Sequence, residues 1–371
     1  MKKRDIVPLA VLALVCAALW RMPGPRPVVS GADEGRFVRA RVLETDDSNV
    51  QKAGLISYGT QRLEVEVLEP PAEGRRFTAY NEIRAQLDLD KHFAPGDVAV
   101  VAVPESAVAD GSEPLIARDH WRNGWSAALF AGFCVLLFAF GGWTGLKAVF
   151  SFAFSCLVVW KGVIPLALRG WPASWTAFAA VALLTGVIMY LVAGFTRKGV
   201  TAFLGSMLGI AAGLGLAHLF GWLMHVNGAT LPFAQALLYS GYEALDLQDV
   251  FIGAMVLAAS GAVMDLAMDI ASGIDEVALR RPELPARELF ISGVRIGRSV
   301  VGTMTTTLLL AYSGGYLTLL MMFAAQGTPP RDFLNSPLVS AEIVKTLIGS
   351  FSLVLVAPFT AAVGARILRR R

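Results

Sequence analysis

The sequence predicts a polytopic α-helical membrane protein of about eight transmembrane helices, with a small exported β-rich domain for which an OB-like barrel is a candidate. Three observations predict it. Of the 371 residues, 55% are hydrophobic and only 16% are charged, where a soluble domain carries about 25% charged residues. Apolar runs long enough to cross ~30 Å of hydrocarbon recur along the chain. All eight tryptophans lie at or near the ends of those runs, where an apolar ring with one polar N–H suits the membrane–water boundary. The net charge of +3 comes mostly from basic residues near helix ends. It therefore reports topology and not nucleic-acid binding.

The first span, residues 6–20, comes after Met1-Lys2-Lys3-Arg4. An uncleaved anchor and a cleaved signal peptide both fit it. Arg21, Pro23, Pro25 and Pro27 crowd its end and favour the anchor. Val15-Cys16 is a poor lipoprotein site, because the residue before such a cysteine is normally small. Either reading exports the segment C-terminal to this span.

Residues 31–118 are too polar for the bilayer. Segments 37–43 and 61–68 alternate with period two, and 97–103 reads as a more buried strand. Pro70-Pro71-Ala72-Glu73-Gly74 and Ala94-Pro95-Gly96-Asp97 mark turns between them. Short strands so spaced predict a small β-barrel, acting as a cap or as a ligand- or partner-binding module. No basic, aromatic-rich surface supports nucleic acid as its ligand. Cys16, Cys134 and Cys156 all lie in spans, so disulfides take no part in this region.

Seven further spans occupy 123–141, 145–165, 175–195, 200–222, 250–271, 299–325 and 341–367. The domains are thus 1–30, an anchor and linker; 31–118, exported; and 119–371, a seven-helix core. One set of loops holds Lys2, Lys3, Arg4, Lys147, Arg197, Lys198, Arg280, Arg281, Arg287, Arg295, Arg298, Arg366, Arg369, Arg370 and Arg371. The opposite short loops hold only Lys161, Arg169 and Arg331. The positive-inside rule puts both termini in the cytoplasm and 31–118 outside.

Two stretches and the chain's ending resemble a known family. They are Tyr239-Ser240-Gly241-Tyr242-Glu243-Ala244-Leu245-Asp246-Leu247-Gln248-Asp249; Ala258-Ala259-Ser260-Gly261-Ala262-Val263-Met264-Asp265-Leu266-Ala267-Met268-Asp269-Ile270-Ala271-Ser272 with Asp275-Glu276-Val277; and Glu342-Ile343-Val344-Lys345-Thr346-Leu347-Ile348-Gly349-Ser350. Together they resemble the bacterial YibE/F-like membrane proteins. The resemblance implies an integral inner- or plasma-membrane protein and implies no particular reaction.

The chemistry has to come from the residues. Asp265, Asp269, Ser272 and Glu276 recur at i, i+4, i+7 and i+11 and share one helix face. A charge in the bilayer core costs at least ~2.5–3.5 kcal/mol, so such carboxylates usually face a bundle interior or a wet cavity. Asp265 lies ~22 Å from the outer end of its span and Asp269 ~28 Å. Asp265 is therefore expected to be buried, either handling a proton or cation or paired with Arg295 or Arg298; a simple interfacial position is the remaining alternative. Thr303, Thr305, Thr306 and Thr307, with Ser313-Gly314-Gly315, can line a polar path or simply pack, and the glycine pair can break the helix.

Gly205, Gly209 and Gly213 form a tandem small-xxx-small pattern that invites another helix. His218 and His225 share a face, but their spacing is no metal motif. Glu243, Asp246, Glu342 and Lys345 are candidates for an outer gate, and Glu342 can pair with Lys345 at i+3. The absence of G-x-S-x-G, H-E-x-x-H and P-loop signatures argues against an enzyme. What remains is a transporter of an unknown small solute or ion, H⁺- or cation-coupled, against a non-transporting assembly or signalling protein. Seven core spans do not divide into two equal inverted halves, which counts mildly against the commonest transporter plans. The lipid bilayer is the expected partner, a homo-oligomer is open, nucleic acid is not expected, and no cofactor is assigned.

Overall fold

The computed structural model describes residues 3–23, 35–104, 106–107 and 113–369. Lys2, Pro25, Pro27, Arg370, Arg371 and the expected domain boundary at 30/31 lie outside them. The chain divides into two compact units. One joins Met1–Val28 to Gly141–Arg371, and the other is Val29–Phe140.

The second unit is built on six strands: β1 (Arg36–Asp46), β2 (Val50–Ala53), β3 (Ile56–Val67), β4 (Arg76–Arg84), β5 (Val98–Val103) and β6 (Leu115–His120). Their order is β1-β5-β6-β4-β3-β2, and an added β1–β3 pairing closes a five-strand ring. Closure depends on the length of β1. Its first half pairs antiparallel with β5, and its second half with β3. The register shifts between Val42 and Glu44, and such a bulge bends and twists a strand enough to turn it from one neighbour to the next. β4 and β6 run parallel, and the other pairings are antiparallel.

Alternate side chains fill the ring: Val38, Ala40, Val42, Leu63, Val65 and Phe77 are buried. Three strands were not expected, and β4 shows why. Its inward positions are Phe77, Ala79, Asn81 and Ile83, so a polar residue interrupts the apolar period. Asn81 is fully buried and donates to Gln61 Oε1 at 3.1 Å and to the Lys91 carbonyl at 2.6 Å. Gln61 also exchanges hydrogen bonds with the Phe93 backbone, donating at 2.9 Å and accepting at 3.0 Å. Two interior amides thereby tie the 91–93 segment to the barrel. Gly59, at φ +125, passes so close to the Asn49 carbonyl that no side chain fits.

The first unit is helical: α1 (Lys3–Arg21), α2 (Asn123–Val158, its first turns belonging to the other unit), a π turn (Val159–Val163), α3 (Ile164–Leu168), α4 (Ala173–Ala193), α5 (Arg197–Leu223), α6 (Ala234–Tyr239), α7 (Leu247–Arg280), α8 (Ala286–Gly315), α9 (Leu317–Ala325), α10 (Pro330–Leu334) and α11 (Pro337–Ile367). Five helices among the described residues are long and apolar enough to cross a membrane, six if α8 and α9 count as one. The expected spans 123–141 and 145–165 follow one another with no loop between them, and Gly142 at φ 50, ψ −124 kinks the chain where they meet. α8 and α9 are bent by 63°, at the glycine pair that was expected to break this span.

α11 is the centre of the bundle, with its broadest contacts to α5 and α8 and then to α7. Glycine makes these approaches possible. A Cβ at Gly209 would lie 2.9 Å from Val356 Cβ, and Gly205 and Gly213 meet Thr360 and Ser352 in the same antiparallel register. On the other side, Gly293 and Gly297 of α8 would each place a Cβ 2.8 Å from Ala361 and Ala357 respectively. Leu12 of α1 shares a buried apolar cluster with Phe154, Val158, Val163, Ala180 and Leu184.

Candidate functional site

α7 carries the acidic stripe. Asp246 caps its start, accepting from Gln248 N at 2.9 Å and Asp249 N at 3.1 Å. One face is buried through Val263, Leu266, Ala267, Ile270, Ala271 and Ile274. The opposite face runs Ala254, Ala258, Gly261, Asp265 and Asp269, all exposed, then half-buried Ser272 and exposed Glu276. Asp265 stands roughly midway along the helix. The expectation that it would be buried is therefore corrected: the shared face is real, but it points away from the bundle. The apolar period chose the rotation, because the apolar residues on the other side claim the interior.

Neither arginine neutralises it. Among the described residues no hydrogen bond or ion pair joins Asp265 or Asp269 to Arg295 or Arg298. Both arginines are exposed on α8. α7 and α8 pack antiparallel, with Gly273 against Ile296 and Gly297 against Ile270. That register puts Asp269 level with Arg298 to Val300 and Asp265 level with Gly302 to Met304, so Arg298 is near in level but turned to the surface. Glu276 is bound instead to Arg280 of its own helix at 2.6 Å, an exposed i,i+4 pair of little energetic weight.

The α8 hydroxyls close on their own helix. Thr303, Thr306 and Ser313 donate to the carbonyls of Val300, Gly302 and Leu309 at 2.9, 3.0 and 2.8 Å, and Thr307 donates to Thr303. Thr305 is different: its Oγ1 is buried without a partner.

The four outer-gate candidates do not form one cluster. Glu243 is exposed in the loop before α7, and Asp246 is spent on the cap. Glu342 and Lys345 do pair, at 3.1 Å, half-buried. Lys345 also stands 5.5 Å from the ring centre of Tyr312, whose hydroxyl is buried without a hydrogen-bond partner. Tyr312 lies over Gly349, 3.3 Å from where a Cβ would be, so the group links α8 to α11. The sequence offered no signal for Tyr312, because an aromatic in an apolar span reads as packing.

Asp249 reads in the sequence only as outer-loop charge. It accepts from Ser174 N at 3.0 Å at the start of α4 and faces His218 Nε2 at 3.8 Å. It thus joins α4, α5 and α7 at one end. No group of three or more His, Cys, Asp or Glu suited to a metal occurs among the described residues.

The model for the family described as YibE/F-like protein matches residues 129–370. The chain belongs to the YibE/F-like family. The match takes in α7, α8 and α11 with every residue of the acidic stripe, while the six β-strands lie outside it. No curated protein and no solved structure matches the chain. The YibE/F-like match and the apolar helices agree on a membrane-type protein.

Proposed function

We propose that this YibE/F-like protein is a multi-pass protein of the bacterial plasma membrane that moves an ion or small solute, with Asp265 and Asp269 handling a proton or cation. It has no enzymatic step in this reading. The observation that carries it is the pair of carboxylates roughly midway along α7, exposed and without an ion pair among the described residues. Lipid is a poor neighbour for them. The same face continues through Ala254, Ala258 and Gly261, small residues that suit a close helix partner. A second copy would enclose the stripe, and the polar route would then run between copies.

The chain crosses the membrane eight times if α2 is divided at Gly142 and α8–α9 counts as one. Both termini are cytoplasmic and residues 31–118 extracytoplasmic. Supporting this, the starts of α4 and α7 share one end with Asp249, whereas the start of α5 and the end of α11 share a basic end. Trp125, Trp171 and Trp222 are exposed near helix ends, as a boundary belt requires. The five-strand ring with one parallel pair supports an OB-like reading of the exported domain.

A second reading, a non-transporting assembly or signalling protein, has its own support. The gap between α5, α7 and α11 holds only about 10 Å³, at the limit for a single water, and the Thr303, Thr306 and Thr307 hydroxyls are satisfied within their own helix. Purified protein in liposomes under an imposed pH gradient decides between them. Proton-coupled flux that disappears in Asp265→Asn supports transport. A tight vesicle with normally folded protein refutes it.

A further inference from the structure

Four cations converge on one concavity at the basic end of the bundle. A cavity of about 810 Å³ is lined by Thr196, Arg197 and Lys198 at the start of α5, by Arg366 and Arg369 at the end of α11, and by Asp275 of α7. The convergence is built by the glycine packing: antiparallel contact of α5 and α11 through Gly205, Gly209 and Gly213 brings the start of one beside the end of the other.

A basic helix end usually needs no more explanation than topology. Two features set this one apart. The charges come from two helices into a single hollow instead of fanning outward. They are also uncompensated. Arg280, at the end of α7, is held by Glu276 at 2.6 Å, yet among the described residues no ion pair engages Arg197, Lys198, Arg366 or Arg369, and Asp275 pairs with none of them. Four cations against one carboxylate leave the cavity strongly positive. The start of α5 adds to this, since a helix leaves its first N–H groups free, and Thr196 satisfies one of them, Gly199 N at 3.1 Å.

We propose that this cavity binds a phosphate ester carrying a hydroxyl group, supplied as a phospholipid headgroup or as a soluble phosphate. Arg366 and Arg369 grip the phosphate through paired N–H donors, and Lys198 adds a point charge. Asp275 accepts from the ligand's hydroxyl, which is why bare phosphate fits less well. Basic pockets between helices at the cytoplasmic face are natural seats for anionic headgroups. The site stands apart from the transport reading: it uses none of the acidic stripe and survives if no flux is found.

The test uses the full chain in a neutral detergent. Native mass spectrometry compares retention of phosphatidylglycerol with phosphatidylcholine, and titration calorimetry tracks glycerol 3-phosphate. Wild type should prefer phosphatidylglycerol or bind glycerol 3-phosphate. Arg366→Gln with Arg369→Gln should weaken the bound form at least about tenfold, while Arg280→Gln with Arg281→Gln, at the same end but outside the cavity, should not. Loss of lipid retention alone assigns the headgroup, and loss of calorimetric binding alone assigns the solute. Should the first double variant fail to fold, Arg197→Gln and Lys198→Gln, made singly, must each weaken binding. Equal weakening by both double variants, or no selective binding of either form by wild type, overturns the proposal.

Discussion

Gly209 lies directly against Val356: a Cβ on the glycine would come within 2.9 Å of the valine Cβ and 3.2 Å of its Cα. Backbone stands behind the side chain, so a rotamer change in Val356 cannot make the room. Gly209→Ala should therefore destabilise the bundle, and Gly209→Leu should do so more, by at least the ~1–3 kcal/mol typical of overpacking. Thermal unfolding in detergent measures this. Equal melting of wild type and Gly209→Leu would show that α5 and α11 are not in contact at this position.

Asp265→Asn should leave abundance and melting unchanged, because the side chain has no ion pair among the described residues to lose. Proton-coupled flux should fall to background. If instead the variant is unstable and Arg298→Gln made alongside restores it, the carboxylate is structural and its arginine comes from another copy; a stranded buried charge costs ~3–5 kcal/mol.

The outward face of α7 should meet a second copy. With Cys16, Cys134 and Cys156 replaced by serine, Ala258→Cys should form a disulfide-linked dimer in oxidised membranes. Leu347→Cys, exposed on α11, should not. A monomer in both cases would mean that lipid or another protein covers α7.

Topology is open to labelling in intact cells. Leu55, at the β2–β3 turn and 91% exposed, and Gln326, beyond α9, should react as cysteines with a membrane-impermeant reagent. Arg281→Cys should not. Reaction at position 281 would invert the orientation.

Glu69 ties the barrel rim by accepting from Arg39 Nε at 2.6 Å and Arg39 N at 3.2 Å. These hydrogen bonds hold its carboxyl below the usual range. A depressed carboxylate contributes stability that is present above its unfolded pKa and is lost as pH falls through the folded one. Rate-corrected hydrogen exchange in β1 should thus rise in acid below about pH 4. Glu69→Gln should show faster exchange already at neutral pH and no such step. Identical profiles would mean the pair is unimportant to the strand.

Periodicity made much of the architecture legible. Residues 175–195, 200–222 and 341–367 fall within a turn or so of α4, α5 and α11, because long apolar runs leave little choice. The end of α7 was missed by about two and a half turns, since Ser272, Asp275 and Glu276 look like an exit from the bilayer while Ile274 and Ala278 continue the buried face. β4 was missed because Asn81 occupies an interior position. For the site, sequence spacing established that Asp265 and Asp269 share a face, but spacing is blind to which way a face turns. That depends on which side of the helix its neighbours occupy, and Gly273, Ile270 and Ile274 decided it through contacts with α8 and α11.

α11 has a consequence for biogenesis. It is synthesised after α5, α7 and α8, yet it fills the slot that all three face. Until it emerges, the glycine track of α5 has no partner, the glycines of α8 meet α7 alone, and Ile274 lacks part of its cover. The earlier helices pack on one another through α7, but with an open slot along α5 and α8. The bundle is thus complete only once the last helix of the chain lies between those glycine rows.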